Sequence, residues 1–195
     1  MTVALETKPY LTIADLDDLP TEDGTRYELI AGELHVTTQP HEEHQFIATN
    51  ISTALGVWNE QHLAGRVYNV VGVIFGPEDA VGPDVAWVSR KRLKEIRQPD
   101  GKLYGPPDLL VEVLSPGPEN ITRDRVKKLR QYSHFGVPEY WIVDRWQRTV
   151  EVYRQGAAGL ELAQVVHAEA ELTSPLLPGF ACRVAKFLDD PTAEL

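Results

Sequence analysis

The stretch PDLLVEVLSP, residues 107–116, decides how this chain is read. Within it Leu109-Leu110-Val111-Glu112-Val113-Leu114 is an apolar run broken by one charge, following turn residues at Pro106-Pro107. Its length predicts a central strand buried on both faces. A carboxylate in the middle of such a strand costs several kcal/mol unless something answers its charge. Asp84 raises the same question, because it follows Pro83 and opens a second predicted strand that runs to Val88. Two acids side by side on strands would supply the hard oxygen ligands that Mg²⁺ takes, with water, a backbone carbonyl or a substrate phosphate completing the set. The alternative is that an arginine or a backbone N–H satisfies each of them in a structural ion pair.

Downstream, residues 119–135 predict a helix ended by Gly136 and Pro138. Turning its residues at ~100° each from Val126 places Ile121, Leu129, Tyr132 and Phe135 between about 180° and 300°. Lys128, at about 200°, falls inside that stripe, whereas Lys127, at about 100°, points elsewhere. Arg125 also falls on the inner side, and Asp124 flanks Lys128 one turn earlier. An inward ammonium near a phosphate can orient an attacking water and stabilise developing charge. The competing account is a lysine that packs its stem and exposes its head.

Outward from these segments the pattern is mixed α and β. Residues 12–19 suggest a short helix capped by Thr12, and Tyr27 to Val36 suggest two strands turning at Ala31-Gly32. Ile47, Ile51, Leu55 and Trp58 recur at helical spacing between about Glu43 and Leu63, with Gly65 placed as a helix C-terminal glycine and His44 on the inner face. RVYNVVGVIF (66–75) predicts a strand, and Ser89 a cap for a basic helix through Ile96. YWIVD and TVEVYR predict a hairpin across a short polar turn, and Leu172 to Phe187 a cover element. No repeat or linker divides the chain. It is read as one domain over 1–195: an N-terminal helix and hairpin (1–40), a core (41–155) and a C-terminal cover (156–195).

Charge is unevenly spread. The net is −10, yet residues 1–43 hold ten acids and two bases, whereas residues 90–130 hold eleven bases and six acids. The positive charge mid-chain is either a contact surface or a set of solvated helix faces. Cys182 is the only cysteine, which excludes an internal disulfide and a multi-cysteine zinc site and is read as a lone buried thiol. No apolar run approaches the ~20 residues of a membrane span, and MTVALETKPY has neither the basic start nor the apolar core of a signal peptide, so a soluble, cytoplasmic protein is expected. There is no Gly-x-Ser-x-Gly elbow, His-Glu-x-x-His or phosphate-cradling Gly-x-x-x-x-Gly-Lys-Ser/Thr to support a small-molecule hydrolase.

Six blocks then occur in one order: RYELIAGEL (26–34), His44, PDVAWVS (83–89), PDLLVEVLSP (107–116), the Asp124–Lys128–Tyr132 spacing and GVPEYWIVD (136–144). Together they resemble the Uma-two type restriction endonucleases, a bacterial branch of the PD-(D/E)XK nuclease superfamily, over roughly residues 10–155. The resemblance implies an α/β (α+β) restriction-endonuclease-like core, a mixed central β-sheet flanked by helices. It implies a Mg²⁺-dependent endonuclease acting on DNA, with Mn²⁺ as a substitute metal and no organic cofactor. Asp84 matches the PD aspartate and Glu112 the (D/E)XK acid, both metal ligands together with the Val113 backbone. Leu114 stands where the motif lysine would be, and Lys128 looks like its migrated replacement. Glu28, Glu33 and His44 match further positions of the family, as a second-metal or water-holding acid or imidazole, with outward strand positions, ion pairs and helix packing as the alternatives. Tyr132, Tyr140 and Trp141 are read as core aromatics before nucleic-acid stacking groups, and Asp144 as a turn cap. A homodimer follows by symmetry from cutting both strands of a duplex. The missing lysine at 114 is the feature that favours a catalytically silent nucleic-acid-binding or interaction module on the same fold.

Overall fold

In the computed structural model of the chain, residues 10–16, 18–20 and 24–190 are described. Helix α1 (Ile13–Leu16) leads to the hairpin β1 (Arg26–Ile30) and β2 (Glu33–Thr37), then to the long helix α2 (Glu42–His62). Strands β3 (Gly65–Asn69), β4 (Val73–Gly76), β5 (Asp79–Val81) and β6 (Val85–Ser89) follow, with α3 (Arg90–Ile96) and β7 (Leu103–Tyr104) before β8 (Leu109–Val113). Next, α4 (Pro118–Thr122), a π-helical segment (Arg123–Lys128) and α5 (Leu129–His134) run end to end. The chain continues through β9 (Glu139–Asp144), β10 (Thr149–Gly156), β11 (Gly159–His167), β12 (Glu171–Thr173), β13 (Ala181–Arg183) and α6 (Ala185–Leu188).

Six strands join in the order β11-β10-β9-β8-β6-β3, and a second sheet runs β2-β1-β5-β4-β7. Strands β8 and β9 are parallel, with Glu112 opposite Ile142, while β8 and β6 are antiparallel, with Val111 opposite Val85. A parallel pair needs a crossover, and the helical rod between β8 and β9 provides it. Every residue of β8 is buried. Because strand side chains alternate, β8 feeds two cores. Leu109, Val111 and Val113 meet Ile51, Leu55 and Trp58 of α2 and the C-terminal Phe180 and Phe187. Leu110 and Leu114 meet Tyr132, Tyr140 and the second sheet's Ile30 and Val81. Glu112 shares the side of Leu110 and Leu114, toward the helical rod.

The chain departs from its sequence pattern in several places. Leu63, not Gly65, takes the left-handed C-cap of α2 with φ 50°; Gly65 instead opens β3, where a Cβ would stand 2.1 Å from the Val88 carbonyl oxygen. The run 66–75 is two strands in different sheets, broken where Val70 adopts φ 52°. The helix after β8 widens to π geometry between Arg123 and Lys128, so its buried stripe is Asp124, Lys128, Gln131 and Tyr132, while Val126 is exposed and Arg125 turns toward Asp144 and Glu151. Cys182 is a free thiol, only half-buried.

Elsewhere pattern and structure agree. Ser89 caps α3, its Oγ accepting the Arg92 N–H at 3.2 Å. Ala31 and Gly32 both take positive φ, the two-residue turn that suits a tight hairpin. Thr12 donates twice to Asp15 at the start of α1; Asp17 and the leader reading of residues 1–9 lie outside the described residues. No described helix is long and apolar enough to cross a membrane.

Burial along α2 predicts how the molecule responds to truncation. Ile51→Ala, at a fully buried position, is expected to cost about 2–5 kcal/mol, and Val126→Ala, on the exposed side of the π segment, less than about 0.5 kcal/mol. Urea denaturation of both variants checks the contrast.

Candidate active site

Four elements distant in sequence converge at the open end of β8. Asp84 sits just before β6, and the antiparallel register carries it beside the C-terminal end of β8, where its Oδ2 accepts the Val113 N–H at 2.9 Å. His44, in the first turn of α2, brings Nε2 to 3.0 Å from the same oxygen. Glu112 Oε1 accepts from Lys128 Nζ at 2.9 Å and from the Tyr132 hydroxyl at 2.8 Å. Glu28, from β1, accepts from Lys128 Nζ at 3.0 Å and from the Gly82 N–H at 2.9 Å through one oxygen. Asp124 lies 4.0 Å from the same ammonium and is bound by Arg123 at 3.0 Å.

Glu28, His44, Asp84, Glu112 and Lys128 border a cleft of about 370 Å³, whose walls also include Arg26, Asn120, Arg123 and Arg145. Its floor is nearly dry: Asp84, Glu112 and Lys128 are 6%, 3% and 2% exposed. In such surroundings each carboxyl is decided by its neighbours. Burial raises Asp84, but the His44 hydrogen bond and charge and the Val113 N–H outweigh it and hold the acid below its ordinary value. Burial also raises Glu28, and Lys128 with the Gly82 N–H reverses the balance. Glu112 goes the other way, pushed up to about 8 by burial and by Asp84, Asp124 and Glu28, against the pull of Lys128. Burial lowers Lys128, yet Glu112, Glu28 and Asp124 together hold its ammonium above its usual range. One lysine is therefore shared among three acids, with Arg123 as a second partner for Asp124.

The arrangement joins Asp84, Glu112, Val113, Lys128, Glu28, His44, Asp124 and Tyr132. Glu33 is not among them: it pairs with Lys127 at 2.7 Å in an adjoining cleft, because it opens β2 and lies one strand farther from β8. Tyr140 and Trp141 are buried in the two cores, and Asp144 Oδ1 caps the following turn. The basic helix α3 does not line the cleft; its cations are Arg26, Arg123, Lys128 and Arg145, two of them outside the basic mid-chain segment. Arg26, Asn120, Arg123 and Arg145 carry no periodicity that marks them in the sequence, and Arg26 reaches Asp84 at 3.7 Å only through the pairing of β1 with β5.

Among the described residues no three His, Cys, Asp or Glu side chains are disposed to hold a metal ion. The donor set nevertheless suits Mg²⁺, which takes one or two carboxylates and completes its shell with water and main-chain oxygen. Asp84 and Glu112 border the same cleft, and the excess of buried acids over cations is the imbalance that a divalent ion would relieve.

The raised Glu112 has a consequence for metal-free protein. A carboxyl whose folded value exceeds its unfolded one stabilises the fold at low pH and loses that contribution as pH rises through the folded value, here between the ordinary 4.5 and about 8. Glu112→Gln, which does not titrate, is expected to gain on the wild type across this window by up to ~1.4 kcal/mol per pH unit. Urea midpoints in EDTA at several pH values measure the gain; a constant difference would contradict it.

Comparison with known proteins adds the family. No curated protein matches the chain. A crystal structure described as "a putative nuclease belonging to DUF820", from Anabaena variabilis, superposes with a TM-score of 0.72 at 19% identity, covering 91% of this chain and 97% of that one. At that identity the likeness shows the fold, a restriction-endonuclease-like arrangement of mixed sheets flanked by helices. The family model described as "Putative restriction endonuclease" matches residues 13–185. With nearly the whole chain covered, and the conjunction of strand acids and buried lysine inside the matched region, this protein belongs to the Uma2 family of restriction-endonuclease-like proteins.

Proposed function

We propose that the chain is a metal-dependent endonuclease that hydrolyses phosphodiester bonds of DNA. Mg²⁺, or Mn²⁺ in its place, would be held by Asp84 and Glu112 with the main-chain oxygen of Val113. The observation that carries this reading is the meeting of the Asp84 and Glu112 carboxylates at one cleft, with the Lys128 ammonium 2.9 Å from Glu112. When bound, the metal polarises the scissile phosphate and lowers the pKa of a coordinated water.

The side chains have separable tasks. Asp84 is kept ionised and oriented by His44 and the Val113 N–H. Tyr132 and Lys128 hold Glu112 Oε1. Lys128 retains its proton, so it acts as a fixed positive charge and donor, not as a base, favouring the attacking water's orientation and the charge that develops on the phosphoryl oxygens. Leu114, at the position of the usual motif lysine, is 1% exposed in the apolar core, and Lys128 approaches the same acid from the helical rod. Arg26 and Arg123 on the walls suit the phosphates of a strand lying in the cleft. A cytoplasmic setting and a two-fold pair of chains, one for each strand of a duplex, complete the proposal.

One observation favours a second reading, an interaction or nucleic-acid-binding module without catalysis: Glu112 Oε1 already accepts two hydrogen bonds from within the chain. Calorimetry with Mg²⁺ separates the two. The wild type is expected to bind the ion, Asp84→Ala/Glu112→Ala to lose it, and Asp84→Ala to lose Mg²⁺-dependent cleavage of DNA by at least ~10²-fold. Equal metal binding by wild type and double variant would move the chain to the second reading.

A further inference from the structure

We propose that Trp146 and Arg145, in the turn between β9 and β10, form a stacking station for an unpaired nucleotide of a DNA strand that passes through the acidic cleft. The inference rests on the nuclease reading and adds where the strand leaves the site.

Of the chain's four tryptophans, Trp58, Trp87 and Trp141 are buried, whereas Trp146 is 50% exposed. A single exposed aromatic on a turn means little by itself. Here three further features bear on it. The turn is held rigidly, because Asp144 Oδ1 accepts the N–H groups of Trp146 and Gln147 at 3.0 and 2.9 Å, while Arg125 fixes the other oxygen at 2.9 Å. The Arg145 guanidinium lies over the Trp146 ring, 4.7 Å from its centroid, so one face is covered by a cation and half the residue stays open. Arg145 also borders both the acidic cleft and an adjoining cleft of about 470 Å³ whose walls include Phe46, Trp146 and Arg148. The two spaces are thus joined at one arginine.

That combination matches the chemistry of a single strand: a flat apolar face for a base, and beside it a cation for a phosphate. A base inside an intact duplex is already stacked and cannot reach the ring, so the station selects unpaired or splayed nucleotides. The surrounding acids set a limit on its strength. Arg145 is ion-paired with Glu43, and Arg148 with Asp189 at 2.7 Å. A phosphate must displace Glu43 to engage Arg145, so stacking carries most of the contact and Glu43 acts as a competitor.

The test titrates the full chain with labelled oligo-dT of about 12 nucleotides and with a blunt duplex of the same length, in EDTA and again in Mg²⁺, reading anisotropy and tryptophan emission. The expected result is quenching by oligo-dT. Trp146→Ala should weaken its binding about 5- to 150-fold, the range of one base–aromatic stack, with Trp146→Phe staying near wild type. Glu43→Gln should tighten it up to about 5-fold. Unchanged oligo-dT affinity in Trp146→Ala overturns the station, and the nuclease reading survives if cleavage still depends on Asp84. Tight binding of blunt duplex alone overturns it as well. So does a dimer that dissociates in Trp146→Ala at constant affinity, which would make this face a contact between chains. Absence of any binding or cleavage by the wild type overturns both readings.

Discussion

The Lys128 ammonium is the constraint on which the site depends. It is almost wholly buried and lies between Glu28 from the second sheet and Glu112 from the six-stranded sheet, with Asp124 behind it. A buried charge of either sign is costly alone, and removing one partner of such a set leaves the others uncompensated. The two sheets are therefore tied at this point by electrostatic necessity as well as by the apolar contacts of Leu110, Leu114 and Ile30. The same tie keeps Glu112 facing the cleft. An apolar side chain at position 128 could fill the volume, but it would leave three acids facing one another in a dry space.

The π segment changes which residues share the lysine's inward face. Its wider turn sets Asp124 and Lys128 on one inward line with Gln131 and Tyr132, and it sends Val126 out to solvent. It also leaves the Asp124 carbonyl to accept the Tyr140 hydroxyl at 3.1 Å, a side-chain partner for a main-chain group within the helical rod. Such widened turns are found often at functional sites, where a side chain has to be re-aimed without ending the helix. Here the inward group is Lys128, whose ammonium lies 2.9 Å from Glu112.

The proposed function requires an acidic protein to accept an anionic substrate. The net of −10 repels DNA at a distance, and the basic helix α3 lies away from the cleft. The cations at the cleft, Arg26, Arg123 and Arg145, each already have an acidic neighbour in Asp84, Asp124 and Glu43. In the proposed function a substrate phosphate would have to exchange with these carboxylates, which predicts modest, salt-responsive affinity.

Local physics was legible from the chain alone wherever burial has a period. The buried strand 109–113, the helix through Ile47, Ile51, Leu55 and Trp58, the Ser89 cap and the tight turn at Ala31-Gly32 follow from apolar spacing, capping and turn chemistry, and an inward Lys128 follows from helical rotation. The same reasoning mistook Gly65 for a cap and 66–75 for one strand, because close approach to Val88 and the change of sheet at Val70 are long-range events. It also ranked Glu33 with Glu28, whose strand positions look alike in sequence. Which acids meet the lysine was decided only by strand order and register: Glu28 and Lys128 are 100 residues apart, and Glu28 reaches it because β1 pairs with β5. His44 beside Asp84, Arg26 across the cleft and the exposed ring of Trp146 arise in the same way. Periodicity specifies which face of an element is buried, whereas the identity of the group it meets belongs to the packing of elements, which no local pattern encodes.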